Sequence, residues 1–262
     1  MDENNTKYYG YIEPGEDMHY FINKDGFRAG FNVGIIVLPA WFPCQPGHVT
    51  NATTFHFPVK YEEAKQSSIQ SVVKEGSGDI VDGIIEAAKK LERDGCRVII
   101  GDCGYFGHYQ KKVAASVEVP VYMSGIIQVP IISIGLKPEQ KIGILCADGP
   151  NLTFELFQEC GVSKEDYERC IIYGAQDQPE FSKVAIEPGN LDTRIIRKEL
   201  VGLAEKMVKE HPEIGAILLE CTDMPPYAAS IQAATSRPVF DTVTLINYLY
   251  HVVSQRHYGG FI

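Results

Sequence analysis

The sequence predicts an α/β fold of two pseudo-symmetric, doubly wound lobes with mainly parallel sheets, the active site lying in the cleft between them. Three observations carry that prediction. Apolar runs of strand length recur without alternation, as expected of strands buried on both faces of a parallel sheet. Segments with helical periodicity lie between those runs. One strand–turn–helix–strand unit also occurs twice with the same internal spacing.

The elements follow in order. Residues 1–32, with their Tyr, Phe and Gly content, read as an ordered extension packed on a lobe or on a second subunit. VGIIV (33–37) is the first strand, ended by the turn LPAWFP (38–43). The stretch from Trp41 to Gly78 is too long for an ordinary βα loop; FHFPV (55–59) reads as an extra strand within it and the remainder as a cover for the cleft. GSGD (76–79) reads as a loop with Asp79 as N-cap. DIVDGIIEAAKKLERDG (79–95) places Ile80, Ile84, Ala88 and Leu91 on one helical stripe and stops at Gly95. RVII (97–100), KIGIL (141–145) and AILL (216–219) are further strands. RIIRKELVGLAEKMVKEH (194–211) is a second amphipathic helix, with Ile196, Leu200, Leu203 and Met207 on its stripe and Pro212 beyond its end. The expected division is a first lobe of residues 1–122 plus about 240–262 and a second lobe of 123–239.

The repeat sets RVIIGDCGYFGHYQKKVAASVEVPVY (97–122) over AILLECTDMPPYAASIQAATSRPVF (216–240). Strand, acid, cysteine, polar turn, Ala-rich helix and Pro-Val strand start share one order, and Cys103–Pro120 and Cys221–Pro238 both span 17 residues. VGIIVLPAWFP and KIGILCADGPN correspond in the same way, each with a glycine in the strand. Open α/β sheets bind ligands beyond the carboxyl ends of their strands, where both cysteines sit. Facing lobes would bring Cys103 and Cys221 to one ligand from opposite sides.

Such a pair suits proton transfer at a carbon acid without pyridoxal phosphate, metal or any other cofactor. One thiolate removes a proton and a thiol on the other face returns one. A free thiol has a pKa of about 8.5, which a helix N-terminus lowers; Asp223 and Pro225 read as start signals for the second helix. Asp102 and Glu220 should oppose thiolate formation by like-charge repulsion. Because successive side chains on an extended segment point to opposite faces, both acids are read as holding backbone N–H groups away from the pocket. Trp41, just past the first strand, is a candidate pocket wall; Tyr105, Phe106 and Tyr109 either wall the pocket or pack. His108 lies about 140° round a helix from Cys103 and reads as a rim residue. Cys44, Cys96, Cys146, Cys160 and Cys170 read as small packing residues, with Cys146 nearest the cleft.

Other function classes are disfavoured. The formal charge is −10 and the Lys and Arg residues form no cluster, which argues against a nucleic-acid partner. The N-terminus has no signal-peptide pattern, and the apolar runs are too short to span a bilayer. Seven cysteines without a CxxC pair suggest reduced thiols in a cytoplasm and no zinc site.

Glu220-Cys221-Thr222-Asp223 and Cys103-Gly104-Tyr105 resemble the paired cysteine motifs of the aspartate/glutamate racemase superfamily, in organisation from about residue 33 to 250. VFDT (239–242) is similar to the closing strand of that family. The turn LPAWFP stands where members acting on glutamate have Asp-Ser-Gly, and Gly-Tyr replaces Asn-Thr after the first cysteine. CTDMPPYA together with the glycine-and-aromatic first motif resembles the branch containing dimethylsulfoniopropionate lyases. The resemblance implies Cys103 and Cys221 as catalytic acid and base, Thr222 as a ligand for the substrate carboxylate, Gly104 as a residue that keeps backbone N–H groups accessible, Tyr105 beside the substrate, and a homodimer. The leading expectation is an isomerase that abstracts and returns the α-proton of a small carboxylate or amino acid. A lyase performing β-elimination after the same abstraction is the alternative, and a non-catalytic two-lobed binding protein is the third.

Overall fold

Apolar strands alternating with helices build two sheets of four parallel strands in the computed structural model, which describes residues 11–13, 15, 29–41, 43–65, 67–69, 71–72, 80–186 and 189–262. The first sheet holds β1 (Val33–Val37), β2 (Val59–Glu63), β3 (Val98–Gly101) and β4 (Val121–Tyr122) in the order β2-β1-β3-β4. The second holds β5 (Lys141–Cys146), β6 (Cys170–Gly174), β7 (Ile214–Leu219) and β8 (Val239–Phe240) in the order β6-β5-β7-β8. Counted within each sheet the order is the same, so the duplicated sequence folds into duplicated topology. Every strand pair is parallel.

The helices are α1 (Val81–Arg93), α2 (Gln110–Ala114), α3 (Val129–Gly135), α4 (Phe154–Glu159), α5 (Lys164–Tyr167), α6 (Lys183–Ile186), α7 (Thr193–Glu210), α8 (Ala228–Thr235) and α9 (Thr242–Val253). Helix α1 buries Ile84, Ala87, Ala88 and Leu91, the stripe its periodicity predicts. It ends where Gly95 adopts φ +92° and Gly95 and Cys96 donate their N–H groups to Glu92 and Leu91, a left-handed cap that a side chain would strain. Helix α7 does the same for the second sheet with Ile196, Leu200, Ala204 and Met207. The strand glycines explain how closely these helices dock. A Cβ on Gly34 would lie 3.0 Å from Leu91 Cδ1, and one on Gly143 would lie 2.5 Å from Met207 Cε. Each central strand thus gives up a side chain at the same step to admit its helix. Helix α9 leaves the second sheet and packs Leu245, Ile246, Leu249 and Val253 on Val33, Ile35, Val98 and Ile100 of the first.

Three segments differ from the sequence reading. The extra strand lies at Val59–Glu63 rather than 55–59; Phe55 and Phe57 instead enter the α9 cluster, where the Phe57 ring stacks on Tyr250 at 3.7 Å. β2 has a polar sequence because it is an edge, and its buried Lys60 is neutralised by an ion pair with Asp94. VPIISIG (129–135) and CIIYG (170–174), unassigned from the sequence, form α3 and β6. Asp79 and most of the N-terminal extension lie outside the described residues. Among the described residues no helix is long and apolar enough to cross a membrane.

Candidate active site

The two sheets present their carboxyl ends to a shared cavity of about 510 Å³, lined by residues that follow β1, β3, β5, β6 and β7. Its floor shows the repeat directly. Beyond β3 the chain runs Asp102-Cys103, with the Asp102 N–H donating to Ile36 O at 3.0 Å; beyond β7 it runs Glu220-Cys221, with the Glu220 N–H donating to Leu145 O at 2.8 Å. The same backbone bond to the neighbouring central strand fixes each acid and so delivers each cysteine. Cys103 and Cys221 both line the cavity, in line with the sequence expectation that they face one space. Gly104, Tyr105 and Thr222 line it as well.

Their surroundings correct several expectations. The cysteines are followed by short 3-10 turns, Gly104–Tyr109 and Pro225–Tyr227, rather than by α-helix N-termini, and so gain little from a helix dipole. Both thiols are held well above their ordinary pKa: Cys103 by burial, then by Asp102 and Glu220; Cys221 by burial, then by Asp223 and Glu220. They rest as neutral thiols. Asp102 does hold a backbone group, accepting the Leu38 N–H at 2.8 Å, yet it also lines the cavity; burial, partly offset by Leu38, pushes its pKa to about 7. Glu220 follows the expectation only in part. It is fully buried beside the cavity, the Ala147 backbone is the polar group set against its carboxyl, and no side chain among the described residues hydrogen-bonds to either oxygen. Burial pushes it up to about 8, with the Ala147 backbone opposing.

Gly104 has a more specific reason to be glycine than open N–H groups. A Cβ there would sit 1.8 Å from Glu220 Oε1, so the missing side chain is the notch that holds that carboxyl. The Thr222 hydroxyl lines the cavity and donates to the backbone carbonyl of Asp102 across the two halves. Tyr105 is a wall residue whose hydroxyl donates to Asp148 O at 2.6 Å and accepts the Asp148 N–H at 2.9 Å. Phe106 and Tyr109 are core instead. Trp41 is 83% exposed and lies outside the cavity lining: the turn after β1 carries its indole outward, so it is not a pocket wall. Asp223 does not cap a helix. Its Oδ1 meets His48 Nε2 at 2.8 Å and its Oδ2 accepts the Cys221 S–H at 3.3 Å.

Cys44, His48 and Thr50 are among the lining residues that sequence reasoning missed, with Asp148, Gln176 and Ser182. The Thr50 N–H donates to His48 Nδ1 at 3.0 Å, so in this arrangement Nε2 carries the proton that faces Asp223. Burial of the ring opposes a second proton, as does the Thr50 amide, while Asp223 and Cys44 favour it and raise the pKa. Burial also opposes the Cys44 thiolate, but hydrogen bonds with His48 and Thr50 prevail and lower its pKa. A cysteine and a histidine four residues apart, in a loop too long for its connection, were the available signal. Four carboxyl groups line the cavity, those of Asp102, Asp148, Glu220 and Asp223, and no Lys or Arg is among the described lining residues.

No family model matches the chain. Dimethylsulfoniopropionate lyase 6 of Emiliania huxleyi is 33% identical over 227 residues, covering 82% of this chain and 58% of the relative, so the chain spans little more than half of that protein. The dimethylsulfoniopropionate lyase of Durusdinium sp. clade D is 31% identical over 225 residues, covering 83% of this chain and 73% of the relative. In fold the chain is similar to an allantoin racemase from Klebsiella pneumoniae, with a TM-score of 0.59 and 14% identity over 88% of this chain and 96% of that one. It is likewise similar to an aspartate racemase homologue from Pyrococcus horikoshii, with a TM-score of 0.53 and 21% identity over 85% and 98%. Paired sheets, duplicated acid–cysteine turns and these relatives converge: the chain belongs to the dimethylsulfoniopropionate lyase family and shares its fold with racemases of known structure.

Proposed function

We propose that the chain is a cofactor-independent lyase that eliminates a neutral leaving group from a small onium carboxylate of the dimethylsulfoniopropionate kind. The observation that carries this reading is a single acid-walled cavity lined by both thiols. Dimethylsulfoniopropionate, which names the relatives, joins a sulfonium cation to a carboxylate through two carbons. A wall with four acidic residues, of which Glu220 is held neutral, with His48 turned to Asp223 and without Lys or Arg, suits the cationic end better than a substrate of net negative charge. That ranks elimination above the α-proton exchange of an acidic amino acid, the order opposite to the sequence expectation.

The reaction needs one base. A thiolate takes the proton α to the carboxylate, the C–H electron pair becomes the carbon–carbon double bond, and the C–S pair leaves with dimethyl sulfide. The remaining unsaturated acid is acrylate, and the proton stays on the thiol. Cys221 is the better-equipped base. Asp223 already accepts its S–H and can hold the proton while the thiolate forms, and His48 steadies the other oxygen of that carboxylate. General base catalysis of this kind contributes about 10²- to 10⁴-fold. Cys103, on the opposite motif, positions the chain of the substrate or protonates a carbanion that has not yet expelled its leaving group.

The equal placement of the two cysteines favours one second reading, stereochemical inversion of a carbon acid. Incubation with dimethylsulfoniopropionate in heavy water, followed by NMR, separates the two. Elimination gives vinyl protons and dimethyl sulfide in equal amounts. A screen of chiral carboxylic acids that yields α-deuterium without vinyl signals would replace the lyase reading by the racemase one, and silence in both would leave a binding protein.

A further inference from the structure

The cavity presents a problem for any carboxylate that enters it. The described lining has four carboxyl groups and no Lys or Arg, the Thr222 hydroxyl donates to Asp102 O, and the His48 Nε2–H faces Asp223. An anionic end placed here needs a donor. Two side chains are placed to supply it, the Ser182 hydroxyl and, between the two cysteine motifs, the Glu220 carboxyl. Glu220 is fully buried and lines the cavity, and beyond the Ala147 backbone its two oxygens have no hydrogen-bond partner among the described residues. Leaving a buried polar group under-satisfied opposes folding, and this one is seated in a notch that exists only because residue 104 has no Cβ. The chain therefore retains an under-satisfied acid at the junction of both cysteine motifs, touching Gly104 of one and adjoining Cys221 of the other.

We propose that Glu220 is the residue that binds the substrate carboxylate, acting as a neutral carboxylic acid whose O–H donates to it. The bond is charge-assisted, O–H···O⁻, among the shorter and stronger classes of hydrogen bond. It also does chemical work. Removing an α-proton next to a carboxylate piles a second negative charge onto the same two oxygens, and a proton donor held against them lowers that barrier in a site shielded from water. An ionised Glu220 would do the reverse. The neutral state is consistent with its neighbours: Asp223 raises its pKa, and the groups that feel its charge are Cys103 and Tyr105 from the first motif, Cys146 and Cys160 behind it, and Cys221 beside it, none of them cationic.

This inference takes the onium carboxylate from the functional reading above, and its test is arranged so that the two fail separately. The probe is 3-(trimethylammonio)propanoate, which keeps both charges and the two-carbon spacing but has a poor leaving group. Its binding to the full chain is measured by calorimetry from pH 6 to pH 10. Wild type should bind well at pH 6 and weaken about tenfold per pH unit above about 8, as Glu220 ionises. Glu220→Gln keeps a donor that does not titrate. It should bind within about threefold of wild type at pH 6 and lose the decline above pH 8, whereas Glu220→Leu should weaken binding about ten- to a hundredfold at pH 6. If Glu220→Leu does not fold, the Gln variant alone decides. A decline that persists in Glu220→Gln, or a Gln variant as weak at pH 6 as a donor-free one, overturns the proposal. Wild type that binds the probe in this pattern but releases no dimethyl sulfide leaves Glu220 in its role and removes the lyase reading instead.

Discussion

Asp102-Cys103-Gly104-Tyr105 and Glu220-Cys221-Thr222-Asp223 occupy equivalent turns of equivalent sheets, yet they have diverged into different chemistry. In the first motif the acid is satisfied by the Leu38 N–H and the fourth residue is a tyrosine tied to backbone on both sides of its hydroxyl. In the second the acid has the Ala147 backbone beside it but no side-chain partner among the described residues, and the fourth residue is a carboxylate linking His48 to the thiol. A duplicated scaffold thus supplies two thiols at matched positions, and substitutions around them give only Cys221 a side-chain carboxylate that accepts its S–H. Inversion of a stereocentre asks for two comparable proton carriers; elimination asks for one. The unequal motifs fit the second demand.

The largest effect should come from breaking that inequality. Cys221→Ser should lower the elimination rate by 10³-fold or more, because a hydroxyl is a far weaker acid than a thiol, while Cys103→Ser should cost measurably less. Steady-state release of dimethyl sulfide checks both, and equal losses would return the two motifs to equal roles. A smaller effect should follow from filling the notch. Gly104→Ala forces Glu220 to move, because its Cβ would overlap Oε1. We expect about 1–3 kcal/mol of destabilisation from overpacking, read by denaturant unfolding, with weaker substrate binding. The smallest effect concerns reactivity alone. Cys44, rather than Cys103 or Cys221, should be alkylated first by iodoacetamide near neutral pH, because its thiol is lowered while burial and neighbouring acids raise the other two. Peptide mass mapping over time would show it, and a faster Cys221 would contradict the resting state described above.

What the sequence showed and what it hid divide along one line. β1, β3, β5 and β7 were legible because strands covered on both faces are continuous apolar runs, and the helices docked on them carry their stripe in the open. β2 was not: an edge strand reading VKYEE has no such run, and its buried lysine is neutralised by Asp94, 34 residues further along the chain. The paired thiols were legible because duplication leaves a spacing that can be counted. His48 meets Asp223 across 175 residues, a contact that no local pattern encodes, and Cys44 joins the site beside that histidine and Thr50. Trp41 shows the opposite failure, since proximity to a strand end in sequence says nothing about the direction in which a turn throws its side chain.

Three crossed hydrogen bonds between the halves carry a mechanical consequence. Thr222 of one half grips the Asp102 carbonyl of the other, and the Tyr105 hydroxyl clasps the Asp148 backbone in the reverse sense. The halves are thus sewn together through the residues that flank the paired cysteines. A guest that displaces the lining residues after β1 or those around α6 would leave the spacing of the thiols undisturbed.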